Sequence, residues 1–278
     1  MFHVNRMLPK DFKFAVSLSN TMNWRSCEED FKFMCRLEPE GCFVLYFNSE
    51  KIGIATAISY GPVGWIGNII VSEKYRGMGG GSLLVEKTIK YLKDKGAKTI
   101  GLYSYDNRVS FYVKHGFRFD SDFVLLRGKW VSKPWKLQTR IATVSDEHFI
   151  FKMDKKYFGG DRSKILEPIL HDPGNLCFVY TCDDDLLGFI VAKVSDEMSE
   201  IGPLVCQRNE RVALDLLVAA LEKLKNCEVS LCIPEKEKVI LEFLRRQGFK
   251  VHLVLSRMFY GSSTTSNHIY IAESLERG

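Results

Sequence analysis

The alternation of apolar and polar positions follows the same series of patterns twice along the chain. Each copy opens with a helical region, residues 9–37 in the first copy and 144–170 in the second. Two runs typical of paired strands follow in each copy, joined by short polar turns. The predicted strands are residues 42–47 and 52–60 in the first copy and 177–182 and 186–194 in the second, with turns at 48–50 and 183–185.

A continuous apolar run comes next, residues 65–71 and residues 200–206, and it is typical of a strand at the centre of a sheet. The helix after it in the first copy places Leu84, Val85, Ile89 and Leu92 at helical spacing and ends at Gly96. The remaining elements predicted from the pattern are a strand at 99–103, a short helix at about 108–115, a strand that begins at Phe117, a hairpin loop at 262–267 and a last strand at 268–272.

Matching landmarks support a duplication. Both copies carry Cys-Phe-Val, a glycine 11 residues after the cysteine, an Ile-Gly pair 13 residues later and a Gly-Phe pair 50 or 47 residues beyond that isoleucine. The landmarks begin at Cys42, Gly53, Ile66 and Gly116, and at Cys177, Gly188, Ile201 and Gly248. A period of about 135 residues indicates two domains rather than a solenoid. We predict domains at residues 1–130 and 139–278, joined by a linker at 131–138.

Composition narrows the function classes. The chain has 278 residues, of which 46% are hydrophobic and 26% charged, as in globular proteins. The net charge of +5 is spread out, which favours small anionic ligands over nucleic acid. We predict no signal peptide, no membrane-spanning helix and no metal site, because no apolar run is long enough and no C-x-x-C or H-x-x-x-H pair occurs. The eight cysteines are interpreted as free thiols in the cytoplasm.

A glycine-rich loop carries the candidate chemistry. Residues 76–82 read Arg-Gly-Met-Gly-Gly-Gly-Ser and directly precede the amphipathic helix. Glycine lets the backbone approach a ligand closely, and the first N–H groups of a helix have no partner within the helix. Together with the helix dipole they form an anion site suited to a pyrophosphate. A P-loop would need Gly-Lys-Ser/Thr, and a dinucleotide fingerprint would need Gly or Ala at Ser82; a plain flexible turn remains an alternative.

This loop resembles the motif R/Q-x-x-G-x-G/A of the GNAT superfamily of N-acetyltransferases, with Arg76, Gly79 and Gly81 at the defined positions. A second segment is similar to the family as well, running from Asn107 to Tyr112 and on to Gly116-Phe117. The resemblance covers almost all of residues 1–130. It implies an α/β fold class with a mixed, α+β-type sheet, here as tandem acyl-CoA N-acyltransferase (GNAT) folds. The whole chain also resembles a branch with a complete first domain and a degenerate second one.

The resemblance implies a role for each matching residue. The cosubstrate would be acetyl-CoA, and Tyr112 would protonate the departing thiolate. The residues expected to contact acetyl-CoA are Ile69, Ile70 and Val71 on the splayed central strand, Arg76, Gly77, Met78, Gly79, Gly80, Gly81 and Ser82 in the loop, and Asn107. Two structural alternatives stay open, a packed aromatic for Tyr112 and a helix N-cap for Asn107.

The acceptor is expected to be a primary amine of a small molecule or peptide, and the sequence leaves its identity and the oligomeric state open. Trp24 and Trp65 are candidates for the acceptor site, although large aromatic residues usually pack in the core. No convincing general base stands out. The weak candidates are Glu38, Glu40, Asp106 and His115.

The second copy lacks the corresponding equipment. Residues 207–212 carry no glycine where the first copy has its loop, and Leu244 stands where the first copy has Tyr112. We therefore expect no ordinary acetyl-CoA binding there. Residues 161–163, Asp-Arg-Ser, either face an acceptor or begin a helix. A non-catalytic sensor of acetyl-CoA or CoA is the alternative function.

Overall fold

The structure is a computed structural model that describes all residues except 132–134, 136–137, 184, 196–197 and 264–266. The two halves of the chain repeat one order of elements. The helices of the described part are α1 (Phe12–Asn20), α2 (Glu28–Leu37), α3 (Gly80–Asp94), α4 (Val109–Lys114), α5 (Glu147–Phe158), α6 (Ser163–Leu170), α7 (Glu210–Lys223) and α8 (Lys238–Arg246).

The strands belong to one mixed sheet. In chain order they are β1 (Phe2–Arg6), β2 (Cys42–Phe47), β3 (Glu50–Tyr60), β4 (Val63–Val71), β5 (Thr99–Tyr105), β6 (Arg118–Lys129), β7 (Thr139–Ile141), β8 (Leu176–Cys182), β9 (Asp185–Lys193), β10 (Ser199–Cys206), β11 (Glu228–Pro234), β12 (Lys250–Gly261) and β13 (Ile269–Ile271). Their order across the sheet is β1-β2-β3-β4-β5-β12-β6-β11-β10-β9-β8-β7, and β13 pairs with β10 off this path. The parallel pairs along this path are β4–β5 and β10–β11.

The order is a palindrome, because each half passes its last strand to the other. Strand β12 of the second half pairs with β5, and β6 of the first half pairs with β11. The exchanged strands also pair with each other at the centre. The repeated sequence landmarks lie on corresponding strands, with Cys42 on β2 and Cys177 on β8. The division into domains at residues 1–130 and 139–278 stays a prediction. In the folded protein, each half contributes one strand that pairs within the sheet of the other half.

Helices cover both faces of the sheet. On one face, α1 and α2 of the first half and α5 and α6 of the second contribute to a single apolar core that crosses the boundary between the halves. On the other face, α3 packs with β3 and β4, while α7 and α8 pack over the second half. The amphipathic pattern of the first-half helix accounts for its orientation, because Leu84, Val85 and Leu92 are buried.

The expected fold class is confirmed, and most predicted elements lie within two residues of their expected bounds. Two short edge strands, β1 and β7, were not predicted. The predicted linker 131–138, the turn at 183–185 and the hairpin loop at 262–267 lie partly outside the described residues, so those predictions remain as they were. None of the described helices is long and apolar enough to cross a membrane. The described residues contain no group of His, Cys, Asp or Glu that could hold a metal ion.

Candidate functional site

Strand β4 separates from β5 halfway along its length. The two strands pair at Val63, Gly64 and Trp65, and no register pair with β5 follows. On its other side, β4 places Asn68 and Ile69 opposite the single residue Ala55, which is a β-bulge, and Asn68 has a φ of 52°. A bulge bends the strand that carries it. The bend directs the end of β4 away from β5 and opens a wedge between them.

The wedge lies beside the residues that the sequence predicts on the central strand. Ile69 and Val71 are half-buried and Ile70 is buried at 4% exposure. On the β3 side, Ile70 pairs with Ile54 and Val71 with Gly53. Their backbone forms no strand pair with β5; the Val71 carbonyl accepts a hydrogen bond from Arg76, and the remaining β5-facing groups are available to an extended polar ligand.

The glycine loop lies at the mouth of this wedge. Gly77 and Gly79 have φ values of 81° and 94°, a region that other residues rarely adopt, and Gly79 is the N-cap of α3. A Cβ on Gly80 would stand 2.8 Å from Cδ2 of Leu45, and one on Gly81 would stand 3.5 Å from the Phe111 ring. The loop therefore needs glycine for two reasons, backbone conformation at two positions and space at a third.

The amides of this loop form a candidate anion site. Among the described residues, the backbone N–H groups of residues 78–82 donate to no acceptor, and the first intrahelical bond runs from the Leu83 amide to the Gly79 carbonyl at 3.2 Å. Unpaired amides at the start of a 15-residue helix, together with its dipole, favour a phosphate or pyrophosphate.

Arg76 and Ser82 flank these amides. The Arg76 Nε donates to the Val71 carbonyl at 3.0 Å, which fastens the loop to the end of β4 while the guanidinium stays exposed. The Ser82 hydroxyl lies 3.1 Å from Nε2 of His115. Met78 is half-exposed at the rim of the loop.

Tyr112 lies on α4, close to the loop. Its ring packs edge-on against Phe111 and Phe117, at centroid distances of 5.1 and 5.9 Å, and the Phe111 ring reaches the position next to Gly81. Burial raises the pKa of the Tyr112 phenol well above its usual range, and the Arg108 guanidinium opposes that rise. Within the described part of the chain, its hydroxyl has no hydrogen-bond partner. Tyr112 thus has a packed ring and a hydroxyl that makes no hydrogen bond to a described residue.

Asn107 lies in a single 3₁₀ turn, Asp106–Arg108, between β5 and α4. It is exposed, and the N-cap residue of α4 is Arg108, which makes no side-chain capping bond. The N-cap alternative for Asn107 is therefore not what the structure shows. The fold brings together the end of β4, the glycine loop and the segment 107–112, as the sequence predicts, while the role of each residue stays a prediction.

The two tryptophans differ in their surroundings. Trp24 is half-buried, and its Nε1 donates to the Tyr105 hydroxyl at 2.7 Å, so it stands over the end of β5. Trp65 is 2% exposed and packs against Tyr103 and Phe158, with Nε1 directed to the Leu275 carbonyl at 3.4 Å. Trp24 is thus partly accessible, whereas Trp65 is part of the apolar core.

The four candidate bases already have partners. The Glu38 carboxylate accepts hydrogen bonds from Lys164, Tyr91 and the Ser59 amide; burial opposes its ionisation, but these bonds prevail and its pKa is lowered. The other three have contacts of their own: Glu40 with Lys95 at 3.4 Å, Asp106 with Ser256 at 3.4 Å, and His115 with Ser82. None of these contacts involves Asn68 or Ile69, the residues at the bulge of β4.

The corresponding wedge of the second half is filled by the chain itself. Strands β10 and β11 pair at Ser199 and Glu200 and then separate. Strand β13 enters the gap, pairing Ile271 with Leu204 and Ile269 with Val205 of β10. On the other side, the Ala272 amide donates to the Cys232 carbonyl of β11 at 2.9 Å.

The start of α7, which corresponds to the glycine loop, is closed by its own cap. The Asn209 side-chain oxygen accepts hydrogen bonds from the amides of Arg211 and Val212, at 3.0 and 3.3 Å. Leu244, in the position corresponding to Tyr112, is fully buried. The second half therefore has neither open amides nor an open wedge.

Residues 161–163 form a helix start rather than a ligand-facing motif. The Asp161 carboxylate accepts from the amide and hydroxyl of Ser163, where α6 begins. The Arg162 side chain is fully buried, pairs with Asp154 at 2.6 Å and also donates to the Gly278 carbonyl. Arg162 thus fixes the C-terminal segment, residues 273–278, to the second half.

This C-terminal segment was not predicted to approach the site. It crosses the face of β4, where the Tyr60 hydroxyl donates to the Arg277 carbonyl at 2.8 Å. A Cβ on Gly67 would stand 2.6 Å from the Glu276 carbonyl oxygen. The only sequence signal was the glycine itself, because Gly67 has the repeated counterpart Gly202, and a Cβ on Gly202 would collide with the Ala272 carbonyl.

Comparisons with known proteins agree with this architecture. The model of the acetyltransferase (GNAT) family matches residues 10–117, and an acetyltransferase (GNAT) domain model matches residues 150–271. Among solved structures, a candidate acetyltransferase from Pyrococcus horikoshii superposes with a TM-score of 0.83 at 23% identity, covering 100% of this chain and 96% of the other. No protein of curated function matches the chain.

Two further structures share the fold over nearly the whole length. A GCN5-related N-acetyltransferase from Sphaerobacter thermophilus gives a TM-score of 0.69 at 16% identity, covering 98% of this chain and 97% of the other. A tandem GNAT protein from the clavulanic acid biosynthesis pathway gives 0.65 at 12% identity, covering 95% and 100%. At these identities the likeness concerns the fold.

Proposed function

The chain belongs to the GNAT acetyltransferases, with one GNAT domain in each half, and from this premise we propose that its first half binds acetyl-CoA and acetylates a primary amine. As a member of that family it is an acyltransferase. The observation that carries the proposal is the row of unpaired amides at residues 78–82, next to the open wedge between β4 and β5.

These two features match the two polar parts of coenzyme A. The amides and the N-terminal dipole of α3 suit the pyrophosphate, and Arg76 adds a positive charge at the rim. The free backbone edge of Ile69, Ile70 and Val71 suits the amide groups of the pantetheine arm, as an added strand would. Asn107, exposed and without a capping role, is free to hydrogen-bond that arm from the opposite side.

Transfer proceeds by direct attack of the neutral amine on the thioester carbonyl. Backbone N–H groups at the bend of β4 stabilise the oxyanion of the tetrahedral intermediate, because they are fixed before the reaction begins. The C–S bond then breaks, and Tyr112 donates its proton to the sulfur. Because burial raises the pKa of Tyr112, the phenol is protonated throughout the physiological pH range and available as the donor.

The second half supports the first without binding the cosubstrate. Its wedge is filled by β13 and its helix start is capped by Asn209, so neither part of coenzyme A has a place there. It contributes β12 beside β5 and the C-terminal segment against β4. The acceptor then enters on the face between the halves, near Trp24. The eight cysteines, all free, support a reducing compartment such as the cytoplasm.

The experiment is thiol release from acetyl-CoA across a library of amines, compared between the wild type and Tyr112→Phe. We expect turnover with at least one amine, a fall in kcat of about 100-fold in the variant, and unchanged acetyl-CoA affinity by calorimetry. Tyr260→Phe is the matched control, because the Tyr260 ring also packs against Phe117, at 5.8 Å, and its hydroxyl contacts Lys93.

Cofactor binding without turnover of any amine would refute the enzymatic proposal and identify a sensor instead. Equal losses in Tyr112→Phe and Tyr260→Phe would show that ring packing, not the proton of Tyr112, is what matters.

A further inference from the structure

The C-terminal segment is anchored against the strand that would hold the thioester. Four side-chain hydrogen bonds fix it: Tyr60 to the Arg277 carbonyl, Trp65 to the Leu275 carbonyl at 3.4 Å, Arg162 to the Gly278 carbonyl, and Lys193 to the Glu273 carbonyl at 2.6 Å. Between these anchors, the backbone of Glu276 lies against Gly67, one residue before the bulge at Asn68. The segment is therefore a fixed wall of the site.

Three carboxylates lie in this region, and two of them are fully engaged. Glu273 pairs with Lys193 and Arg277, both at 3.0 Å, and Asp154 forms two bonds with Arg162. Glu276 differs, because its carboxylate makes no ion pair with any described residue and its hydrogen bond comes from its own backbone amide. The residue is half-buried, and its backbone lies against Gly67.

The charges around Glu276 come from three elements. Arg277 and Glu273 belong to its own segment, Glu200 lies on β10, and the Cys232 thiol lies on β11. Burial is the largest influence and raises the pKa of Glu276, with Arg277 opposing it and Glu200 and Glu273 adding to it. A carboxylate whose pKa is raised is a stronger base than one in water.

Resting on the proposed function, we propose that Glu276 is the general base that removes the proton of the acceptor ammonium. The Glu276 carboxylate takes one proton from R–NH₃⁺, directly or through one water, and later releases it to solvent. The neutral amine forms the new N–C bond, the C–S bond breaks, and Tyr112 protonates the sulfur. Tyr112 regains its proton from the nitrogen of the product amide, so that protons balance.

The structure explains why this base is absent from the central strand. Position 67 of β4 faces the C-terminal segment, and any side chain there would collide with Glu276. The glycine admits the backbone of a residue that lies 209 positions further along the chain. The base is thus supplied by the last part of the second half to the first.

The test compares Glu276→Gln with the wild type on two acceptors. One is the alkylamine that is acetylated fastest in the library, which is protonated at pH 7; the other is hydroxylamine, which is already neutral. Glu276→Gln should lower kcat for the alkylamine about 100-fold at pH 7, with little change for hydroxylamine and none in acetyl-CoA affinity. Raising the pH should restore the alkylamine rate, because solvent then deprotonates the amine.

Three companion variants separate chemistry from structure. Glu276→Asp should keep part of the alkylamine rate, and Gly67→Ala should lose it by displacing the backbone of Glu276. Glu235→Gln is the control, because Glu235 is an exposed carboxylate paired with Lys238 at the surface. Glu276→Gln should also leave the melting temperature unchanged or raise it, since the folded state disfavours the ionised form of Glu276.

A Glu276→Gln enzyme that acetylates the alkylamine at the wild-type rate would overturn this assignment and leave the proposed function intact. Equal losses for both acceptors would also overturn it, by showing a structural effect. Absence of transfer by the wild type to every amine would instead refute the proposed function, and this inference with it.

Discussion

Both halves contain a wedge between two diverging strands, but it is open in the first half and filled by the chain in the second. In the first half, β4 leaves β5 after Trp65, and the amides at the start of α3 stay open. In the second half, β10 leaves β11 after Glu200, but β13 enters the gap and Asn209 caps the start of α7. The scaffold of a GNAT domain therefore provides a cleft, and local residues decide whether a ligand or the chain itself fills it.

Glycine accounts for much of this difference. Gly77 and Gly79 adopt positive φ values, and the N-cap Gly79 has no side chain that could cap the amides after it. The second half has no glycine there, and Asn209 is extended at a φ of −153°, which turns its side-chain oxygen onto the amides it caps. One loop is shaped to leave donors free and the other to satisfy them.

The largest expected effect comes from placing a negative charge in the open loop. Gly79→Asp should weaken acetyl-CoA binding at least about 1,000-fold, because the carboxylate repels the pyrophosphate and two or three charge-assisted hydrogen bonds are lost. Calorimetry measures the affinity. Gly248→Asp is the matched control, since Gly248 has a similar φ of 89°, equally open surroundings and a place in the second half. If affinity survives in Gly79→Asp, the loop does not hold the pyrophosphate.

The next effect concerns the residue that directly follows the chain-filled wedge. Glu273→Gln should lower the free energy of unfolding by about 3 kcal/mol, because the buried charges of Lys193 and Arg277 lose their partner. Urea denaturation measures it. Glu242→Gln, which breaks an exposed pair with Arg246, should cost less than about 0.5 kcal/mol. Equal costs for the two variants would show that the second wedge is not held shut by this cluster.

The same cluster predicts a pH dependence with a defined sign. Although burial opposes its ionisation, the Arg277 and Lys193 charges hold the pKa of Glu273 well below its usual range. Its stabilisation is therefore complete above the unfolded pKa near 4.3 and is lost as the pH falls toward the lower folded pKa. The stability gap between wild type and Glu273→Gln should narrow from pH 6 to pH 3. A gap that widens on acidification would contradict the pairing.

A smaller effect tests whether the cap alone closes the second site. Asn209→Ala should cost about 1 kcal/mol of stability, because two amides of α7 lose their acceptor. It should not create a second acetyl-CoA site, since β13 still occupies the wedge. Equilibrium dialysis gives the stoichiometry, and two bound molecules per chain would show that capping, not filling, is decisive.

The smallest effect is the absence of one. Arg211→Gln should leave acetyl-CoA affinity within about twofold of the wild type, because Arg211 pairs with Asp215 in the second half and not with a ligand. The corresponding variant in the first half, Arg76→Gln at the rim of the open loop, should bind acetyl-CoA measurably more weakly at low salt. A large loss in Arg211→Gln would mean that the second half binds the cosubstrate after all.

Much of this could be read from the sequence because it depends on local patterns. The duplication, the central strands and the glycine loop each follow from spacing or from one residue type. The exchange of β6 and β12 could not be predicted, because a strand of 12 residues can pair with any neighbour whose edge is free. Edge strand β1 was missed because its five residues show only a weak alternation.

The site divides in the same way. Residues 76–82 can be recognised from their glycine-rich composition, and Asn107 and Tyr112 from a motif. The roles of these residues stay predictions. Glu276 gives no local signal, because it acquires its surroundings from a contact with Gly67 across the whole length of the chain. Trp65 shows the converse, since an aromatic residue beside a cleft turns out to be 2% exposed.

The crossing of the two final strands has a consequence for how the polypeptide can be divided. If the chain were cut after Val131, β6 in one fragment and β12 in the other would each lack both neighbouring strands. Neither piece could complete its own sheet, yet the two edges are complementary. Co-expressed fragments should therefore reassemble into one molecule through these edges, without a covalent connection between the halves.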